Sequence, residues 1–210
     1  MDFEEWRPLY EDMIDDFSYS EERDIEAAEL LSEYRGTDGL TPLRTLRGED
    51  VEISGPFYNP TKSKSEIKLR VAAGASLEQM METGVEPDLM VTDLDGNTEL
   101  QLELNLKGIP VIMHAHGDNM DLIRGWSRRF EGHVISTCQC EPPKRGIHNF
   151  GGFTDGDRAA FIADHFGAEE IILNGWNFEE PYEENDDEKV KKLEWAEKLL
   201  GHLDTSIKVV

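Results

Sequence analysis

The chain has 210 residues, 38% of them hydrophobic, enough to bury a real core in one large domain, and a formal charge of −24 at pH 7 that argues against a nucleic-acid partner, whose backbone needs clustered Lys and Arg. No run approaches the roughly 20 apolar residues of a membrane helix, and MDFEEWRPLYED at the N-terminus lacks both the basic and the apolar part of a signal region, so a cytoplasmic protein with no membrane partner is expected. Nucleotides stay open as ligands, because a divalent metal can carry the positive charge that brings phosphates to carboxylates.

From Asp2 to about Arg35 the apolar positions Phe3, Trp6, Leu9, Met13, Ile14 and Phe17, and then a second pattern after Ser20, follow helical spacing. Two helices packed on a main domain are predicted, with Gly36, Gly39 and Pro42 ending the pattern. Residues 1–48 are taken as this helical segment and 49–210 as the main α/β domain. Val51–Gly55 and Ile67–Ala75 read as strands around a polar loop, Pro56–Ser65, and Ser76 as the cap of a short helix that stops at Gly84. Two apolar runs, Leu89–Val91 and Pro110–Met113, are the next strands. A helix around Met120–Phe130 and a strand from His133 follow. The loop after that strand holds Cys138 and Cys140, which read as ordinary reduced residues. Thr154 and Asp157 fit a capping box on a helix closing at Gly167. A strand over Glu170–Trp176, an acidic loop over Glu179–Glu188, a helix to Leu200 and a final strand SIKVV complete the chain. Strands alternating with helices imply a mainly parallel, Rossmann-like sheet with helices on both faces. The acid spread along the chain is compatible with a salt-rich cytosol, where self-repulsion is screened.

Three packets of side chains carry the chemistry. Asp93 and Asp95, in DLDG, end the first of the two apolar runs; two residues apart at a turning strand end, both carboxylates can converge on one hard cation, with Gly96 allowing the turn. The bland alternative is a solvated turn. A rival is the phosphatase and mutase superfamily with its DxDGT strand end, which Asn97 interrupts by moving Thr98 one place late. His114, His116, Asp118 and Asn119, in HAHGDN, end the second run; HxHxDH ligates paired metals in metallo-β-lactamase-like hydrolases, but Asn119 replaces the last histidine, and its oxygen, like that of Asp118, suits magnesium. If the two runs are neighbouring parallel strands, both packets reach one sheet edge, where open α/β sheets bind ligands.

The third packet is GGFTDGDR. Gly151 and Gly152 let the backbone approach a ligand, the helix N-terminus offers N–H groups to an anion, and Arg158 can grip a phosphate. Asp155 and Asp157 suit the helix dipole whether or not anything binds. On the last helix Lys189 and Lys192 share a face and can reach a triphosphate.

VTDLDG, HAHGDN, NFGGFTDGDRA and the KxxKL of Lys189–Leu193, in this order, resemble the archaeal 6-hydroxymethyl-7,8-dihydropterin pyrophosphokinase family, which is similar to thiamin pyrophosphokinase in its catalytic domain. The resemblance covers most of the chain. It implies magnesium-dependent transfer of a diphosphate from ATP to a reduced pterin. Metal and phosphate work is implied for Asp93, Asp95, Asp118, Asp155 and Asp157, with Asn119, Thr154 and Arg158 beside them. His116 is the candidate proton acceptor, with His114 as the alternative. One departure is Ala73, where the related enzymes commonly carry an acidic residue before the glycine. A metal-dependent phosphohydrolase and a non-catalytic nucleotide- or pterin-binding protein are the competing readings, and a homodimer is the default assembly.

Overall fold

The computed structural model describes residues 1–37, 39–64, 66–179 and 187–210. Ser65 and most of the expected acidic loop Glu179–Glu188 lie outside the described residues.

The first helix, α1 (Phe3–Phe17), starts in a capping box: the Glu5 N–H donates to Asp2 Oδ1 at 3.0 Å and the Asp2 N–H to Glu5 Oε2 at 2.9 Å. Trp6, Tyr10 and Met13, at i, i+4 and i+7, form its buried stripe. The second, α2 (Glu21–Arg35), is capped by the Ser20 hydroxyl, and its buried stripe is Asp24, Ala27, Ala28 and Leu31. The chain continues through β1 (Asp50–Ser54), β2 (Leu69–Ala73), α3 (Ser76–Glu82), β3 (Leu89–Thr92), α4 (Thr98–Leu106), β4 (Val111–Ala115) and α5 (Met120–Trp126). It ends with β5 (Val134–Cys138), α6 (Asp155–His165), β6 (Glu170–Asn174), α7 (Asp187–Leu200) and β7 (Ser206–Val209).

Among the described residues seven strands form one parallel sheet in the order β5-β4-β3-β2-β1-β6-β7. Strand burial follows from this: β3, β4 and β5 are buried along their whole length, as parallel strands covered on both sides must be. Strands β1 to β5 step outward in one direction and β6 and β7 in the other, so right-handed crossovers place helices on both faces. The reversal at β1 and β6 is a topological switch point, the place where such sheets open a crevice at their carboxyl ends.

Two local readings are corrected. Ser76 is the first residue of α3 rather than its cap, and its hydroxyl accepts the Ala73 N–H at 2.9 Å and meets the Ser54 hydroxyl at 2.6 Å. Helix α4 was not anticipated, because TELQLELNL alternates like a strand. Its burial is helical, with Thr98, Gln101, Leu104 and Asn105 inside at i, i+3, i+6 and i+7. Parallel neighbours cannot be joined by a hairpin and need a crossover, which is what α4 supplies.

By packing, the chain divides into two compact units, Met1–Pro42 with Thr92–Gly151, and Leu43–Val91 with Gly152–Val210. In the first, α2 packs on β4, β5 and α5, and Trp6, Tyr10, Leu31, Met113, Phe130 and Ile135 are fully buried. In the second, α6 packs on β1, β2, β6 and α7, with Val51, Ile53, Phe161, Leu173 and Leu199 inside. Each such large apolar side chain contributes about 1.5–3 kcal/mol by leaving water. Among the described residues no helix is long and apolar enough to cross a membrane.

Candidate active site

In the first unit the end of β3 turns sharply, and the residue in the left-handed region is Leu94 (φ 74°), not Gly96. A bulky residue there costs about 1–3 kcal/mol, and strain of that kind marks sites whose geometry is imposed by their surroundings. Here the surroundings are visible: Leu94 is 1% exposed, its N–H donates to Thr92 Oγ1 at 2.9 Å, and its carbonyl accepts the Thr98 hydroxyl at 2.9 Å. With Leu94 buried, Asp93 and Asp95 turn together; a carboxylate oxygen of each lies within 4.8 Å of the other, and the Asp95 N–H donates to Asp93 Oδ1 at 3.1 Å.

Helix α5 follows the end of β4, and the loop between them supplies the second set of groups. Asn119 uses every polar atom of its carboxamide: Nδ2 donates to the carbonyls of Asp93 (2.8 Å) and His114 (2.7 Å), and Oδ1 accepts the His116 N–H at 3.1 Å. Asn119 therefore braces the ends of β3 and β4, a task a histidine at this position could not copy. His114 is buried, with Nδ1 3.1 Å from the Thr137 hydroxyl. His116 Nε2 lies 3.3 Å from Asp93 Oδ2, while its Nδ1 accepts the Asp118 N–H at 3.4 Å. This pattern assigns the neutral ring its proton on Nε2, directed at Asp93. Burial alone pushes the Asp93 carboxyl up, but its hydrogen bonds with His116 and Asp95 outweigh it and hold the group well below the usual carboxylate range. The pair offers hard oxygen donors, the set that magnesium prefers. Asp118 is exposed, and its Oδ1 is 3.6 Å from Arg23 Nη1.

Two residues that shape this loop escaped the sequence reading. Asp24, 2% exposed on α2, accepts the Gly117 N–H at 2.7 Å, the Tyr10 hydroxyl at 2.8 Å and the Gln139 amide at 2.8 Å. Arg23 donates to the Gly117 carbonyl at 2.7 Å, and a Cβ on Gly117 would stand only 2.7 Å from that of Arg23. The N-terminal helices thus grip the HAHGDN loop by both polar groups of one glycine. An acidic residue aligned with Ala27, Ala28 and Leu31 on an apolar face was the available signal.

The second unit holds the remaining candidates except Gly151, the last residue of the first. Asp157 is fully buried at the start of α6, accepting the Phe153 N–H at 2.6 Å, the Thr154 N–H at 2.7 Å and the Thr154 hydroxyl. Burial pushes its carboxyl up, against the pull of those hydrogen bonds and of Arg158. The expected capping box is therefore present, and it engages both carboxylate oxygens. Arg158, 2% exposed, donates to the Phe153 carbonyl at 3.0 Å. Gly151 (φ 87°) and Gly152 (φ 90°) both occupy glycine-favouring conformations, and a Cβ on Gly152 would fall 2.4 Å from Arg158 Cα, so the close approach here is first of all to the helix. Asp155 is half-buried, and a Cβ on Gly74 would meet its Oδ2 at 2.8 Å. At the departure from the family pattern, Ala73 is 8% exposed at the end of β2. Lys189 and Lys192 are half-buried on α7, and Lys192 pairs with Glu188 at 2.8 Å. In this way Asp93, Asp95, His116 and Asn119 come together in one unit, whereas Thr154, Asp155, Asp157 and Arg158 form the head of α6 in the other.

The sequence profile of the family described as "6-hydroxymethylpterin diphosphokinase MptE-like" matches residues 65–183, more than half of the chain. The chain is also 37% identical over 225 residues to a 6-hydroxymethyl-7,8-dihydropterin pyrophosphokinase of Pyrococcus furiosus, covering 97% of this chain and 94% of the relative. To proteins of the same description it is 33% identical in Methanocaldococcus jannaschii, over 100% of this chain and 98% of the relative, and 32% identical in Methanothermobacter thermautotrophicus, over 97% and 96%.

Proposed function

The chain belongs to the MptE-like 6-hydroxymethylpterin diphosphokinase family, and from that membership we propose that it transfers a diphosphate from ATP to 6-hydroxymethyl-7,8-dihydropterin. The hydroxymethyl oxygen attacks the β-phosphorus, the bond from that phosphorus to the α–β bridging oxygen breaks, AMP leaves, and the hydroxyl proton passes to solvent. The observation that carries the reading is likeness to pyrophosphokinases along essentially the whole chain, at 32–37% identity.

We propose Asp93 and Asp95 as magnesium ligands in the first unit, and, taken by itself, Asp155 at the head of α6 in the second unit as a metal-binding residue. The Asp93 and Asp95 carboxylates would hold a magnesium ion, which when bound would supply charge neutralisation, the main requirement of phosphoryl chemistry. His116 acts in this scheme as a positioning residue: its Nε2–H holds Asp93 Oδ2, while Oδ1 takes the Asp95 N–H. Asn119 keeps the two strand ends in register. Asp118 is proposed as an outer acidic group, released to the cation when Arg23 turns away. Asp157, whose oxygens serve the cap, shapes the loop of Gly151, Gly152 and Thr154 for a phosphate, and Arg158 braces that loop from beneath. Lys189 and Lys192 are proposed to meet the triphosphate, which competes with Glu188 for Lys192. A cytoplasmic homodimer feeding tetrahydrofolate or methanopterin synthesis completes the proposal.

The test is incubation with ATP, magnesium and the reduced pterin, followed by separation of nucleotides and phosphate. AMP formed in equal amount to pterin diphosphate is the expected result. Inorganic phosphate without an acceptor would instead identify a phosphohydrolase, and tight binding without turnover a sensor.

A further inference from the structure

At the switch point between β1 and β6 the second unit presents aromatic rings to solvent. Phe57 is 47% exposed although its backbone is fixed, with its N–H donating to the Gly175 carbonyl at 3.0 Å. Gly175 (φ 78°) permits this approach, since a Cβ there would stand 2.2 Å from the Phe57 carbonyl carbon. The next residue, Trp176, is half-buried, and its Nε1 donates to the Ile53 carbonyl at 3.0 Å, which sets the plane of the indole. The far edge of that ring lies over the first turn of α6: a Cβ on Gly156 would be 2.4 Å from Trp176 Cη2. Phe178 extends the surface, 5.6 Å from Trp176 between ring centres and tilted by 49°. Three further aromatic residues fit a ligand less well. Tyr58 and Phe150 are 7% and 6% exposed, and Trp126 is covered by the Arg129 guanidinium at 4.2 Å.

We propose that Phe57 and Trp176, extended by Phe178, form the platform on which the pteridine ring of the acceptor stacks. This rests on the diphosphate transfer proposed above. Position selects the occupant. Trp176 touches Gly156, the residue after Asp155, the proposed cation ligand on α6. In the acceptor a single carbon separates the ring from the attacking oxygen, whereas ribose and the α-phosphate separate adenine from the β-phosphorus. A ring site beside the ligand of the cation therefore belongs to the pterin. Rigid aromatic faces with little rotamer freedom are suited to a flat heterocycle, since stacking needs area and orientation more than hydrogen bonds.

The test measures AMP release by the full-length wild type and by Phe57→Ala, Phe57→Tyr and Trp176→Leu, with KM determined separately for the pterin and for ATP. Phe57 is exposed, so its truncation leaves the fold intact, and circular dichroism checks this for Trp176→Leu. The expected result is a pterin KM raised at least about fivefold in Phe57→Ala and Trp176→Leu, the lower end of what one stacked base contributes. The ATP KM should stay within about twofold, and Phe57→Tyr should restore the wild-type pterin KM. An unchanged pterin KM in Phe57→Ala, or a rise confined to ATP, overturns the platform while leaving the diphosphate transfer standing. Wild-type protein that forms no AMP removes the parent reading and this inference with it.

Discussion

Replacing Asp24 by alanine takes the acceptor away from the Gly117 N–H, the Tyr10 hydroxyl and the Gln139 amide, which it holds at 2.7, 2.8 and 2.8 Å inside the first unit. A buried polar group left without its partner costs about 1–3 kcal/mol. The Tyr10 hydroxyl can rotate and Gln139 can turn its amide, so the loss settles at about 3–5 kcal/mol, the scale for removing one side of a buried charged contact. For a chain of this size each kcal/mol moves Tm by about 2–4 °C, giving a fall on the order of 10 °C. Asp24→Asn behaves differently. Its oxygen still serves the Gly117 N–H, and its amide faces a hydroxyl and a carboxamide that can both accept, so the cost is about 1 kcal/mol. Thermal unfolding followed by circular dichroism at fixed salt measures both variants. A Tm for Asp24→Ala within about 2 °C of wild type would refute the idea that this carboxylate holds the loop.

Gly74→Ala is expected to fold with a penalty of about 1–2 kcal/mol for its left-handed backbone (φ 54°) and to lose activity, because the new methyl displaces the Asp155 carboxylate; full activity would exclude Asp155 from the chemistry. Asp157→Ala leaves buried donors at the head of α6 and is expected to destabilise by about 2–4 kcal/mol in denaturant titration without changing the magnesium dependence of any remaining turnover. A shifted magnesium dependence would return Asp157 to the metal site. With a net charge of −24, the melting temperature is expected to rise between low and molar KCl as self-repulsion is screened, and a flat profile would remove salt adaptation as the reason for the acidity.

The strand ends are legible because apolar runs that stop abruptly at carboxylates and imidazoles mark the carboxyl edge of a buried parallel sheet, and β3 and β4 do end at Thr92 and Ala115, immediately before Asp93 and His116. What the sequence concealed has specific physical causes. Helix α4 hides behind the alternation of Leu100, Leu102, Leu104 and Leu106, only one of which is fully buried; topology, not periodicity, requires a helix there. Gly96 looks like the turn residue because glycine adopts positive φ at least cost, yet the buried side chain of Leu94 and its hydrogen bonds with Thr92 and Thr98 impose that conformation two residues earlier. Asp157 and Arg158 read from the sequence as ligand groups, and what the sequence does not show is that both also hold the loop before α6. The hold of α2 on Gly117 depends on residues 93 positions apart, which no local pattern encodes.

Diphosphate transfer in this scheme requires above all the Asp93 carboxylate working beside Asp95. Asp93→Asn keeps the shape of the side chain and, with a flipped amide, a contact to His116, so the fold should survive. The rate of AMP formation at saturating ATP, magnesium and pterin is expected to fall at least about a hundredfold, the scale lost with one preorganised electrostatic group. A folded Asp93→Asn protein that forms AMP at nearly the wild-type rate would contradict the account.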